Sequence, residues 1–135
     1  MDKAFIIWKD SYSLGIEEID AQHKKLVEII NRFYNAFYNN KHKRVISGIL
    51  SQLVEYAKYH FTTEEQYFER LNYPDANYHI TEHKRFIIEI NRLIKANKSN
   101  PGATAFKLIT FLQQWLTGHI LISDKRYAGY IRDNL

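Results

Sequence analysis

The sequence contains no cysteine. Disulfides, thiolate zinc sites and iron–sulfur clusters are therefore excluded, and any bound metal has to be held by imidazole and carboxylate, donors that suit iron, manganese or zinc. No run of eighteen apolar residues occurs, so no membrane insertion is expected. The opening MDKAFIIWKDSYSLG has an apolar patch too short and too broken by charge for a signal peptide, which predicts a cytoplasmic protein. Nor is there a block of like charge: the net charge is +4, but lysines and arginines are scattered among acids, which argues against a nucleic-acid partner. Proline occurs only twice, and Pro74 and Pro101 both fall at expected turns.

What is present is a helical pattern carrying histidine. At 135 residues the chain is the size of one domain with a real core, read as residues 1–135 with an N-terminal arm over 1–15 and a bundle over 16–135. Phe5, Ile6, Trp8, Tyr12 and Leu14 follow no period and end at Gly15, which predicts an extended arm laid over the body. From Ile16, apolar positions step by three and four through Ile19, His23, Leu26, Ile30, Phe33 and Phe37, the spacing of a packed helix. A second stripe runs Val45, Ile49, Leu53, Tyr56, His60, Glu64, Tyr67 and Leu71 in a helix from about Lys43. A third, from about Asp75 to Asn97, holds Ala76, His79, His83, Phe86, Ile90 and Leu93. A fourth, from about Ala103, holds Ala105, Leu108, Leu112, Trp115, His119 and Ile122. Four such helices with short connections predict an all-α, up-down-up-down antiparallel four-helix bundle.

Five of the six histidines lie on these seams, and Glu64 joins them. Unpartnered burial costs a few kcal/mol per polar group, while a whole domain is stable by only about 5–15 kcal/mol. Something has to satisfy them together. Counting heights from the shared turns places His23, His60, Glu64, His79, His83 and His119 within roughly 14 Å along the bundle axis, with Asp124 slightly lower. Asp124 is five residues after His119, about 140° around a regular helix, so if both are ligands the helix must bend, widen or end between them. Five imidazoles and two carboxylates exceed one tetrahedral zinc site and suit two ions, three nitrogens on one and two on the other. His42, at the other end, is expected in an exposed turn.

Gly15-Ile16 through Ile19-Asp20-x-Gln22-His23, His60-Phe61-x-x-Glu64-Glu65, Tyr73-Pro74 before His79-x-x-x-His83, and Trp115-Leu116-x-x-His119-Ile120-x-x-x-Asp124-Lys125 together resemble the hemerythrin family, specifically its single-domain bacterial members. The resemblance implies a di-iron centre with an oxo or hydroxo bridge: His79, His83 and His119 on one iron, His23 and His60 on the other, Glu64 and Asp124 bridging. It implies reversible dioxygen binding at the two-histidine iron, for carriage, storage or delivery and not for catalysis, with Leu26, Phe61, Trp115, Leu116 and Ile120 walling the dioxygen pocket. A monomer is favoured, with an oxygen-accepting protein as a further partner. Glu65 is expected to be a solvated neighbour of Glu64.

The residues allow two other uses. The same site could sense dioxygen or nitric oxide, or handle iron. His79-Ile80-Thr81-Glu82-His83 also matches the H-x-x-E-H pattern of zinc peptidases, with Glu82 as general base, but that leaves His23, His60 and His119 unexplained.

Overall fold

The computed structural model describes residues 6–135. After a 3-10 turn at Asp10–Tyr12, four main helices follow: α1 (Glu17–Tyr38), α2 (His42–Leu71), α3 (Ala76–Asn97) and α4 (Pro101–Gln114). Helix α4 runs without a break into a π-helical segment, Trp115–Asp124, and on into α5 (Lys125–Asn134). The described residues contain no strand, and α1 packs on α2, α2 on α3 and α3 on α4, as an up-and-down bundle requires. No helix among them is long and apolar enough to cross a membrane.

The turns are built from residues that tolerate them. Asn40 and Asn72 take the left-handed conformation, φ 57° and 54°, just past the ends of α1 and α2, where asparagine is among the few side chains that adopt it readily. The fourth helix begins two residues earlier than its apolar pattern suggests. Pro101 occupies its first turn, where a missing N–H costs nothing, and Asn100 caps it by accepting from the Ala103 N–H at 3.1 Å.

The arm is pinned by side chains of α1. Asn31 exchanges two hydrogen bonds with the Ile6 backbone, at 2.8 and 2.7 Å, and Asp20 accepts from Leu14 N–H at 2.8 Å. Ile6 and Leu14 are buried, while Trp8 and Tyr12 pack edge to face at the rim of the core. Phe5 lies outside the described residues.

Two expected seam positions are corrected. Val45 faces solvent and Ile46 is buried in its place. Ile122 is 57% exposed, because the wider i→i+5 turn turns the helix out of the phase that a regular helix would keep.

The core is divided by a polar layer. Along each rod of the bundle the sequence passes from one apolar cluster, through buried polar residues, into a second. The larger cluster contains Leu26, Phe33, Leu53, Phe61, Phe86 and Trp115, and the smaller contains Ile19, Phe68, Tyr73 and Tyr127. Between them lie His23 on α1, His60 and Glu64 on α2, His79 and His83 on α3, and His119 and Asp124 on the π segment, none more than 2% exposed.

Candidate metal centre

The seven polar residues form two groups that share one member. Glu64, His79, His83 and His119 offer ligand atoms within 4.8 Å of one another, and so do His23, His60, Glu64 and Asp124. The regular helices produce this by period alone. His60 and Glu64, like His79 and His83, are four residues apart and project from one face a turn apart. Bringing in Asp124 takes the π-helical widening, since i→i+5 bonding returns a residue five positions on to the face of His119.

Within the layer the imidazole Nε2 atoms face inward. His79 and His119 stand 2.8 and 3.1 Å from Asp124 Oδ1, while His23 stands 2.8 Å from Oδ2 of the same carboxylate. Asp124 thus presents one oxygen to each group. Glu64 Oε1 lies 2.9 Å from His83 Nε2, 3.4 Å from His60 and 3.6 Å from His79. Its other oxygen accepts from the Tyr127 hydroxyl.

These short approaches are not all hydrogen bonds. Nε2 of His79 and His119 and both oxygens of Asp124 are buried and make no aligned bond. Buried polar atoms normally do. Nitrogens and carboxylate oxygens converging without bonding one another have the disposition of metal ligands, and an imidazole and carboxylate set fits iron, manganese or zinc.

The outer nitrogens are held by acceptors. His60 Nδ1 donates to Gln22 Oε1, His83 Nδ1 to Glu65 at 2.8 Å, and His119 Nδ1 to Glu82 at 2.7 Å. The Gln22 orientation follows from its amide, which donates to Thr63 Oγ1 at 3.1 Å while that hydroxyl donates to Tyr59 O. Fixing the proton on Nδ1 leaves Nε2 free to ligate, the usual arrangement around a metal-bound histidine. Glu65 is therefore not merely a solvated neighbour of Glu64: a step of about 100° along α2 turns it to His83. Glu82 accepts from His119 and from Ser123 Oγ at 3.0 Å, and so faces away from the role that H-x-x-E-H would give it.

Three rings lie flat on the inward imidazoles: Phe61 on His83 (centroids 3.9 Å apart), Trp115 on His119 (3.9 Å) and Tyr56 on His60 (5.2 Å). Leu26, Leu116 and Ile120 are buried in the same apolar cluster. Phe68 packs edge-on to His79 and Tyr127 on the opposite side of the layer. His42 is not in an open turn. It begins α2, half-buried and stacked on Phe37 at 4.3 Å.

Charge inside the layer is strongly coupled. Burial by itself lowers the pKa of His119, but the charge of Asp124, with Glu82 and Glu64, outweighs it and raises the value to about 10. Burial also opposes ionisation of Asp124, yet His119 and the neighbouring imidazoles hold it well below the ordinary carboxylate value. Burial dominates at His60 and pushes it down. The phenols of Tyr56 and Tyr127 are raised, by burial first and then by Glu64 and Asp124, and stay protonated.

Sequence reasoning assigned no role to Tyr127, Gln22 or Glu82 at this centre. Gln22 is visible beside His23, but its partner His60 lies on α2, and Glu82 adjoins His83 while serving His119. Glu82→Ala should weaken metal affinity about 10- to 100-fold, the usual cost of losing such a support, without unfolding the chain. Competition with a chelator measures this, and an unchanged affinity would remove Glu82 from the centre.

Comparison with known proteins agrees with the geometry. Residues 14–131 match the model of the hemerythrin HHE cation binding domain. A bacteriohemerythrin of Clostridium acetobutylicum is 35% identical over 126 residues, covering 90% of this chain and 97% of that protein. One from Pseudomonas aeruginosa is 30% identical, covering 98% and 85%. A hemerythrin-like protein of Naegleria gruberi is 29% identical, covering 92% of each. With the domain match spanning nearly the whole bundle, and both buried ligand groups inside the matched residues, the chain belongs to the hemerythrin family.

Proposed function

We propose that the chain binds dioxygen reversibly at a di-iron centre, for carriage, storage or delivery. One observation carries the reading: the inward nitrogens divide three and two, the groups share Glu64, and Asp124 turns one oxygen to each. His79, His83 and His119 would hold one iron, His23 and His60 the other, with Glu64 and Asp124 bridging. The His23 and His60 group offers one imidazole fewer than the other, and so would be the side with room for an outside ligand. An iron pair supplies the two electrons that dioxygen takes up and returns.

The protein's own part is to position and to exclude. Gln22, Glu65 and Glu82 orient three of the rings, and Tyr127 fixes one oxygen of Glu64. Leu26, Phe61, Trp115, Leu116 and Ile120, all buried, would form the dioxygen pocket and keep water and protons from the centre. A dry apolar wall admits a neutral gas and slows charged species. The test is anaerobic loading with ferrous iron followed by admitting and removing air. The expected result is about two irons per chain, one for each ligand group, and a visible charge-transfer band that comes and goes. A band that forms once and never reverses, or one metal per chain, would overturn the proposal.

A further inference from the structure

Tyr56 stands one helical turn before His60 and lies flat on its ring, the planes 19° apart. Only 7% of the residue is exposed, and its hydroxyl is screened from solvent with no hydrogen-bond partner. The other buried phenol of the layer, Tyr127, is bonded to Glu64. A groove of about 600 Å³ between α1 and α2 reaches Gln22 and Tyr56 from outside, yet the exposed part of Tyr56 is not its hydroxyl. A buried hydroxyl without a partner destabilises a fold, and phenylalanine would fill the same space without that cost.

We propose that the Tyr56 hydroxyl is a hydrogen-bond donor to a small anionic or strongly dipolar ligand held on the His23–His60 side of the centre, so that it sets which ligands that side retains. The inference rests on the metal-pair reading above. On the other side His83 carries Phe61, which has no polar atom, and His119 carries Trp115, whose indole N–H is likewise buried without a partner; among the three stacked rings the O–H belongs to Tyr56, on the His60 side. A phenol, with an ordinary pKa of about 10, carries the proton that a donor needs at neutral pH.

Azide is the probe, titrated optically into the iron-loaded protein and followed by the infrared stretch of the bound ion. Tyr56→Phe should retain both irons and bind azide about 10-fold more weakly, equivalent to about 1.4 kcal/mol, with a shifted stretch that no longer responds to deuterated solvent. The metal-free variant should melt no lower than the metal-free parent, since it loses only an unsatisfied group. Unchanged azide affinity and stretch would overturn the proposal, as would a lower melting temperature of the metal-free variant, which would mark a structural hydroxyl. Tyr56→Leu removes the ring as well: weakening by leucine but not by phenylalanine would assign the effect to stacking on His60 and overturn the donor role. A parent chain that takes up no metal pair would instead overturn the reading on which the inference rests.

Discussion

Glu64→Ala is expected to cut metal uptake from about two ions per chain, one for each ligand group, to well below one. Glu64 is the only residue common to both groups, and its Oε1 faces His60, His79 and His83 together. Alanine removes from a fully buried site a negative charge that would help balance two bound cations, and it strands the Tyr127 hydroxyl, which donates to Glu64. Glu64→Gln keeps the shape and an acceptor for Tyr127 but not the charge, so it should retain more metal than alanine and less than the parent. His42→Ala supplies the contrast. That ring stacks on Phe37 and belongs to neither ligand group, so its loss should leave metal content unchanged. Metal analysis after gel filtration decides the matter, and equal losses from Glu64→Ala and His42→Ala would contradict the assignment.

The second large effect is on the metal-free protein as pH changes. His119 is raised to about 10 from an ordinary 6.5, so its proton binds more tightly in the folded chain. The stability it contributes is complete below about pH 6.5 and is lost as pH climbs through about 10. Asp124 and Glu64 are depressed, so their contribution is present above the ordinary carboxylate range and disappears as pH falls below it. The metal-free chain should therefore be most stable in mildly acidic solution and weaken by a few kcal/mol on raising the pH to about 10, because each tenfold gain in proton affinity on folding is worth about 1.4 kcal/mol. Urea midpoints at a series of pH values test this. Metal ligation requires neutral imidazole, so loading should release protons and tighten with rising pH, which a pH indicator in weak buffer would detect. A flat urea midpoint together with no proton release would show that the layer does not carry this coupled charge.

Much of this was legible in residue spacing because the bundle is regular. Histidines repeating at steps of three and four on otherwise apolar seams can only point inward, and His23, His60, Glu64, His79, His83 and His119 do so. The same arithmetic failed where the helix stopped being regular. Counting at 100° per residue put Ile122 on the seam and Asp124 off it, whereas the π segment exposes the first and buries the second. The need for a bend or widening was readable from the interval between His119 and Asp124; its form was not.

The outer support of the imidazoles was the least readable part. Glu82 and Glu65 look like surface charge beside a ligand, and each serves a histidine on another helix. By itself the sequence determined the helical class, the four seams, the absence of thiolate and the ring of donors, because these depend on local period and composition. Only the tertiary structure decided which oxygen of Asp124 faces which group, which acceptor fixes each ring, and where an unpaired phenol lies. Those are relations between side chains on different helices, set by packing angle and axial offset, and no spacing within one helix encodes them.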